Sequence, residues 1–146
     1  FSLPFETLYI SYNLNTPLGS QLSRQLKAGS DVRLVNSPSE AQAILYVLGE
    51  RRSRNVVAYN AYGDAREYEL KLEVSFRLSA PDGAQYLPDT VIAAVREISY
   101  NEEDYLTRDA EEALVINEML SDIVVQMVRR IEKAQPPKQP EDLTTR

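Results

Sequence analysis

Between Tyr68 and Leu78 the even positions read Tyr68, Leu70, Leu72, Val74, Phe76 and Leu78, while the odd positions read Glu69, Lys71, Glu73, Ser75 and Arg77. A period of two predicts a β-strand with one buried and one wetted face. Residues 5–12 repeat the pattern in short form, with Leu8, Ile10 and Tyr12 on one side. Residues 41–59 are rich in strand formers, and residues 90–100 form a further long strand with Pro88 near its start, where a missing N–H is tolerable. Asn60–Ala65 and Pro81-Asp82-Gly83 supply turn residues between these runs, so they are expected to join as hairpins. Residues 32–36 read as a short strand or a connection, and Ser37–Ala41 as a turn or brief helical turn.

Two segments carry the helical period instead. Leu18, Leu22 and Leu26 recur every four residues behind Thr16, a good N-cap, and Pro17, suited to the first helical position. This predicts a helix over 17–28, with Lys27 favourable at its end and Gly29 able to take a left-handed exit. From about Asn101 to Ala134, Leu106, Ala110, Ala113, Leu114, Leu120, Val124, Val128 and Ile131 form an apolar stripe, broadened by Ile116, Ile123 and Met127. Asp104, Asp109, Glu111 and Glu112 crowd its start and Arg129, Arg130 and Lys133 its end, the polarity that the helix dipole favours.

The expected architecture is α+β: a two-layer sandwich with two helices on one face of a mostly antiparallel four-stranded sheet, in the order strand, helix, three strands, helix. Burying Leu70, Leu72, Val74, Phe76 and Leu78 would contribute on the order of 8 to 15 kcal/mol before entropy is charged. No helices remain for the other face, which must meet water or a partner. Residues 1–134 read as one domain, and Pro-rich 135–146 as a disordered tail.

Composition narrows the chemistry. The 146 residues carry a net charge of −6 and contain no Cys, His or Trp. The negative charge argues against nucleic-acid binding. No disulfide, Cys or His metal ligand, thiol nucleophile or imidazole base is available, and an enzyme would have to work with carboxylates, Lys, Tyr and Ser. Glu67, Glu69 and Glu73 share a strand face, but Lys71 and Arg77 interleave with them, which reads as a mixed-charge wet face rather than paired catalytic acids or a metal cage. No apolar run reaches the length of a transmembrane helix. The chain opens at Phe1 with no Met and no leader-like stretch, as a mature or trimmed chain would.

The candidate binding residues are basic and aromatic. Arg51, Arg52 and Arg54, with Arg66, read either as an anion clamp clustered near the tip of the long hairpin or as charge that guards a hairpin edge from aggregation. Arg108 stands at a helix start, where a cation is misplaced; it calls for a carboxylate partner such as Asp104, Asp109 or Glu112, or for an anionic ligand. Tyr59, Tyr62, Tyr68 and Tyr100 offer aromatic surface around strand ends, suited to an interface or simply to a strand.

The element order also resembles the LptE (RlpB) family of lipopolysaccharide-assembly lipoproteins. "TPLGSQLSRQLK" (16–27) resembles that family's first helix, "AREYELKLEVSFRL" (65–78) its alternating strand, and "LTRDAEEALVINEMLSDIVVQMVRRI" (106–131) its last helix. The resemblance implies a non-enzymatic outer-membrane lipoprotein on the periplasmic side. Such a protein plugs the β-barrel of LptD, binds lipopolysaccharide and assists its insertion in the outer leaflet, without cofactor. The family's lipidated Cys and the short segment after it are not in this sequence; Phe1 would follow just after them. Matching the Glu118-Met119 step to the family places Arg108 at the basic position implicated in contacting the lipid's phosphates. A second basic position of the family corresponds to Ala61, where the charge is absent, with Arg66 nearby. With this resemblance the lipopolysaccharide-binding candidates are Arg108, Arg66, Arg51, Arg52 and Arg54, and the partner-interface candidates Tyr59 and Tyr62. The alternative reading is a periplasmic ligand-binding or adaptor domain of another envelope assembly machine.

Overall fold

The computed structural model describes residues 3–100 and 108–137. Its elements run β1 (Thr7–Ser11), α1 (Pro17–Gly29), β2 (Arg33–Leu34), a 3-10 turn (Pro38–Glu40), β3 (Ala43–Tyr59), β4 (Ala65–Ser79), β5 (Gln85–Ser99) and α2 (Arg108–Glu132). The fold is α+β as expected, with one correction. The sheet is five-stranded and mixed, in the order β2-β1-β3-β4-β5, rather than four-stranded and mostly antiparallel. β1 lies parallel to both neighbours, because α1 carries the chain back across the sheet before β2 begins, the crossover that parallel pairing requires. Two-residue β2 is too short to leave a period-two signal.

β3, β4 and β5 form the expected antiparallel meander. At its first turn the Asn60 amide donates to the Asp64 carbonyl at 2.8 Å, and Gly63 takes φ +84°. At the second the Ala80 amide donates to Ala84 at 2.8 Å, and Gly83 takes φ +93°. Left-handed backbone of this kind favours glycine. β5 begins earlier than the sequence suggests and includes Pro88, which falls in a register irregularity between Leu87 and Thr90 on an edge strand.

α1 forms as its caps dictate. The Thr16 hydroxyl accepts the Gly19 amide at 3.1 Å, and Leu18, Leu22 and Leu26 are fully buried. Gly29 does not make the left-handed exit; it is the last helical residue. The helix is closed by extended Ser30, whose hydroxyl donates to the Leu26 carbonyl at 2.6 Å and accepts the Val32 amide at 3.3 Å. The side chain satisfies helix-end groups that a glycine turn would otherwise serve.

The even positions of β4 from Leu70 to Leu78 are buried, in one core with Leu8 and Ile10 of β1, the α1 stripe, and Met119, Leu120, Ile123, Val124, Met127, Val128 and Ile131 of α2. Both helices therefore cover the same side of the sheet, and among the described residues no helix lies on the other. That open side carries Lys71 paired with Glu73 at 3.5 Å, Arg77 paired with Asp89 at 3.5 Å, and exposed Val91 and Val95. In α2 the apolar stripe seals only the second half. Ala110, Ala113 and Leu114, expected on the buried stripe, are exposed, because the first half rises over the sheet's polar end. The predicted start of this helix at 101–107, with Asp104 and Leu106, lies outside the described residues, as does the tail from 138 onward.

Candidate functional site

β3 crosses the whole sheet and changes character on the way. Ahead of its bulge the odd positions face the helices: Leu45 pairs with Leu78 and Val47 with Phe76. The register then shifts between Val47 and Gly49, leaving Leu48 as the extra residue. Because side chains alternate with period two, one inserted residue exchanges the faces. Beyond the bulge the even positions face the helices, with Glu50 opposite Val74, Arg52 opposite Leu72, Arg54 opposite Leu70 and Val56 opposite Tyr68. A row of charge thereby enters the side of the sheet that is apolar elsewhere.

Alternation divides the Arg51–Arg54 run between the two faces, and the bulge ahead of it decides which members face the helices. Arg51 pairs across to Glu73 on the open face, whereas Arg52 and Arg54 lie under α2. Arg52 lines an open groove of about 310 Å³ together with Pro17, Glu50, Leu72, Ile116 and Leu120. At the same mouth Glu50 accepts a hydrogen bond from the Tyr12 hydroxyl. Burial first, and then the Glu50 hydrogen bond and charge, push the Tyr12 hydroxyl up to about 12.

Arg54 and Arg108 meet at the end of the sheet. The Arg54 guanidinium lies 4.9 Å from the centre of the Tyr68 ring, and the Arg108 guanidinium lies 5.6 Å from Tyr68 and 4.3 Å from Tyr100. The two rings contact edge-on, with centroids 5.4 Å apart. Strand pairing holds them on one face: Tyr68 is opposite Ile98 in β5, and the Tyr100 amide continues the ladder by donating to the Arg66 carbonyl at 2.9 Å. Alternation along β4 places Arg66 on the same face as Tyr68.

One carboxylate serves this cluster. Glu112, one turn into α2, sits 3.3 Å from Arg54 Nη1 and accepts the Tyr100 hydroxyl at 3.1 Å. Burial, followed by the charge and hydrogen bond of Glu112, raises the Tyr100 hydroxyl to about 12 against the opposing pull of Arg108 and Arg54. Among the described residues Arg108 makes no ion pair. Two aromatic faces, rather than Asp109 or Glu112, hold this cation at the helix start, where the dipole disfavours it.

The four arginines do not cluster at the hairpin tip: the structure brings Arg54, Arg66 and Arg108 to one end, sets Arg52 along the adjoining groove opposite Leu72, and sends Arg51 to the opposite face, because the run sits in mid-strand and alternates. Tyr59 and Tyr62 stand at the hairpin tip, exposed to 65% and 88%. Nothing in the local sequence announces the Arg54–Glu112 pair. Residues 43–48 are apolar without alternation, so the Leu48 bulge that turns Arg54 toward Glu112 leaves no period-two signal. Chemically the cluster is a cationic, aromatic-walled surface able to bind an anion. Among the described residues no group of acids is arranged to hold a metal ion, and no helix is long and apolar enough to cross a membrane.

Residues 5–131 match the family model described as LptE, lipopolysaccharide-assembly. The chain belongs to the LptE family. Members of this family are non-enzymatic lipopolysaccharide-assembly lipoproteins of the Gram-negative envelope. Among solved structures, this LptE-family chain is similar to an uncharacterized lipoprotein B from Nitrosomonas europaea, at 27% identity and TM-score 0.78, covering 90% of this chain and 84% of that one. It shares the fold of a minor lipoprotein from Acinetobacter baumannii (23% identity, TM-score 0.74, 94% and 99% covered). The rare lipoprotein B from Shewanella oneidensis has the same fold (19% identity, TM-score 0.73, 84% and 91% covered). No curated protein matches the sequence closely enough to count as a relative.

Proposed function

We propose that this LptE-family chain plugs the lumen of an LptD-type outer-membrane β-barrel and binds lipopolysaccharide at its Arg54–Arg66–Arg108 end, assisting insertion of the lipid in the outer leaflet. It acts by binding, with no bond made or broken. A lipid anchor ahead of Phe1 would hold it on the periplasmic side of the outer membrane. The observation that carries the reading is Arg108: its guanidinium rests on Tyr100 and Tyr68 and makes no ion pair among the described residues, an arrangement suited to meeting a phosphate. Two further features support it. The open sheet face mixes Lys71, Glu73, Arg77 and Asp89, which suits the polar interior of an outer-membrane barrel. Tyr59 and Tyr62 project from the hairpin tip as large, exposed aromatic groups suited to a partner.

Arg108→Glu tests the site. Losing one charge-assisted contact is expected to weaken lipopolysaccharide binding by about tenfold while the melting temperature stays nearly constant. Unchanged affinity in a direct titration removes Arg108 from the site.

A further inference from the structure

We infer that Glu112 is an internal counter-ion that an incoming anion must displace, and that it thereby restricts the Arg54–Arg108 site to phosphate monoesters over carboxylates. The inference rests on the proposed lipopolysaccharide site and concerns which chemical group that site accepts.

The geometry carries it. Arg54 contacts the Tyr68 ring at 4.9 Å and the Glu112 carboxylate at 3.3 Å. Glu112 is well covered, with its side chain 16% exposed, while Arg54 is half exposed. It is also tied to the Tyr100 hydroxyl at 3.1 Å. Tyr100 in turn carries Arg108 on its ring at 4.3 Å. The carboxylate therefore stands on the Arg54 side of the cluster, and Arg108 stands across the two rings without a carboxylate among the described residues. An anion bridging the two guanidinium groups has to compete with Glu112 for Arg54.

The competition is unequal for different anions. A carboxylate ligand exchanges one single negative charge on Arg54 for another and gains nothing there. A phosphate monoester carries about −1.5 to −2 charges and three strong acceptor oxygens, enough to engage Arg54 and Arg108 together. Arginine also matches phosphate oxygens with paired donors. When Arg54 turns to the ligand, Glu112 keeps its hydrogen bond from Tyr100, which limits the cost of the exchange.

The test compares wild type, Glu112→Gln and Arg108→Glu by calorimetric titration with four probes: lipopolysaccharide, dephosphorylated lipopolysaccharide, inorganic phosphate and acetate. Acetate binding wild type as tightly as inorganic phosphate overturns the selectivity. Gln retains an oxygen for the Tyr100 hydroxyl and removes only the charge. Release of an ion pair of this kind is expected to tighten lipopolysaccharide binding up to about fivefold, and dephosphorylated lipopolysaccharide is expected to bind Glu112→Gln and wild type alike. Tightening with inorganic phosphate as well would assign the site to the phosphate itself; tightening with the lipid alone would require the acyl or sugar portion for capture. Both results support displacement. Weakened or unchanged lipopolysaccharide binding by Glu112→Gln, with Arg108→Glu still weakened, overturns the counter-ion role and leaves the site standing. Unchanged binding by Arg108→Glu overturns the site itself.

Discussion

The side of the sheet that faces the helices has two unlike halves. In the first, Leu8 and Ile10 of β1, Leu45 and Val47 of β3 and Phe76 and Leu78 of β4 lie beneath α1 and the second half of α2, and all are buried. In the second, Glu50, Arg52 and Arg54 of β3 run beside Val74, Leu72 and Leu70, beneath the first half of α2, where no described residue from Arg108 to Glu118 is buried. The same strand supplies the floor of both. The halves differ because Leu48 is an extra residue that exchanges the faces of β3, and because β1 ends at Ser11. The polar half thus has one helix above it and an open groove beside it. Core and candidate site are two outcomes of one register shift: continued alternation would have placed Arg51 and Ser53 on the helix side and turned Arg52 and Arg54 outward.

The contrast is sharpest for stability. Phe76 is fully buried in the sealed half, and Phe76→Ala is expected to cost about 3–5 kcal/mol, read as a lowered midpoint in urea at constant slope. A loss under about 1 kcal/mol would mean that the sealed half relaxes around the cavity, which close packing disfavours. Within α2 the two halves can be compared on identical chemistry. Leu120 is 4% exposed and Leu114 is 65% exposed. Leu120→Ala should cost about 2–5 kcal/mol, and Leu114→Ala should fall within about 0.5 kcal/mol of wild type. Equal losses at both positions would dissolve the distinction between the halves.

A smaller effect is expected in alkali, and it belongs to the polar half. Tyr12 and Tyr100 both hold their protons up to about 12, against the ordinary 10.0. Between those values the unfolded chain has released protons that the folded chain keeps, so stability falls as pH rises through the window. The contribution is fully present below pH 10 and is lost above about 12. Urea midpoints measured across this range, with tyrosinate absorbance recorded in parallel, should show both tyrosines ionising late in the folded protein. Early ionisation of either would overturn the burial and the carboxylate contact assigned to it together, Glu50 for Tyr12 and Glu112 for Tyr100.

Most elements were legible because their signals are local. The β4 alternation, the Leu18–Leu22–Leu26 stripe behind Thr16 and Pro17, and the two glycine turns each follow from neighbouring residues acting through period, cap or φ. So did the class of fold, since two oily stripes and one oily sheet face leave few ways to pack. The resemblance to the LptE family was likewise readable in residue order, and the match over residues 5–131 bears it out.

What the chain alone determined is therefore which faces are oily, where the turns fall and which side chains could carry charge to a ligand. Tertiary structure decided where those charges go. Parallel pairing of β1 depends on where α1 returns the chain, and β2 has only two residues to announce itself. That Arg52 and Arg54, rather than Arg51, face the helices depends on the Leu48 bulge, a property of two strands paired rather than of either alone. Arg108 meets Tyr68 and Tyr100, and Arg54 meets Glu112 58 residues away, only after sheet and helix have docked. Local backbone preference acts over a few residues, whereas a site assembled from three elements exists only once those elements have packed.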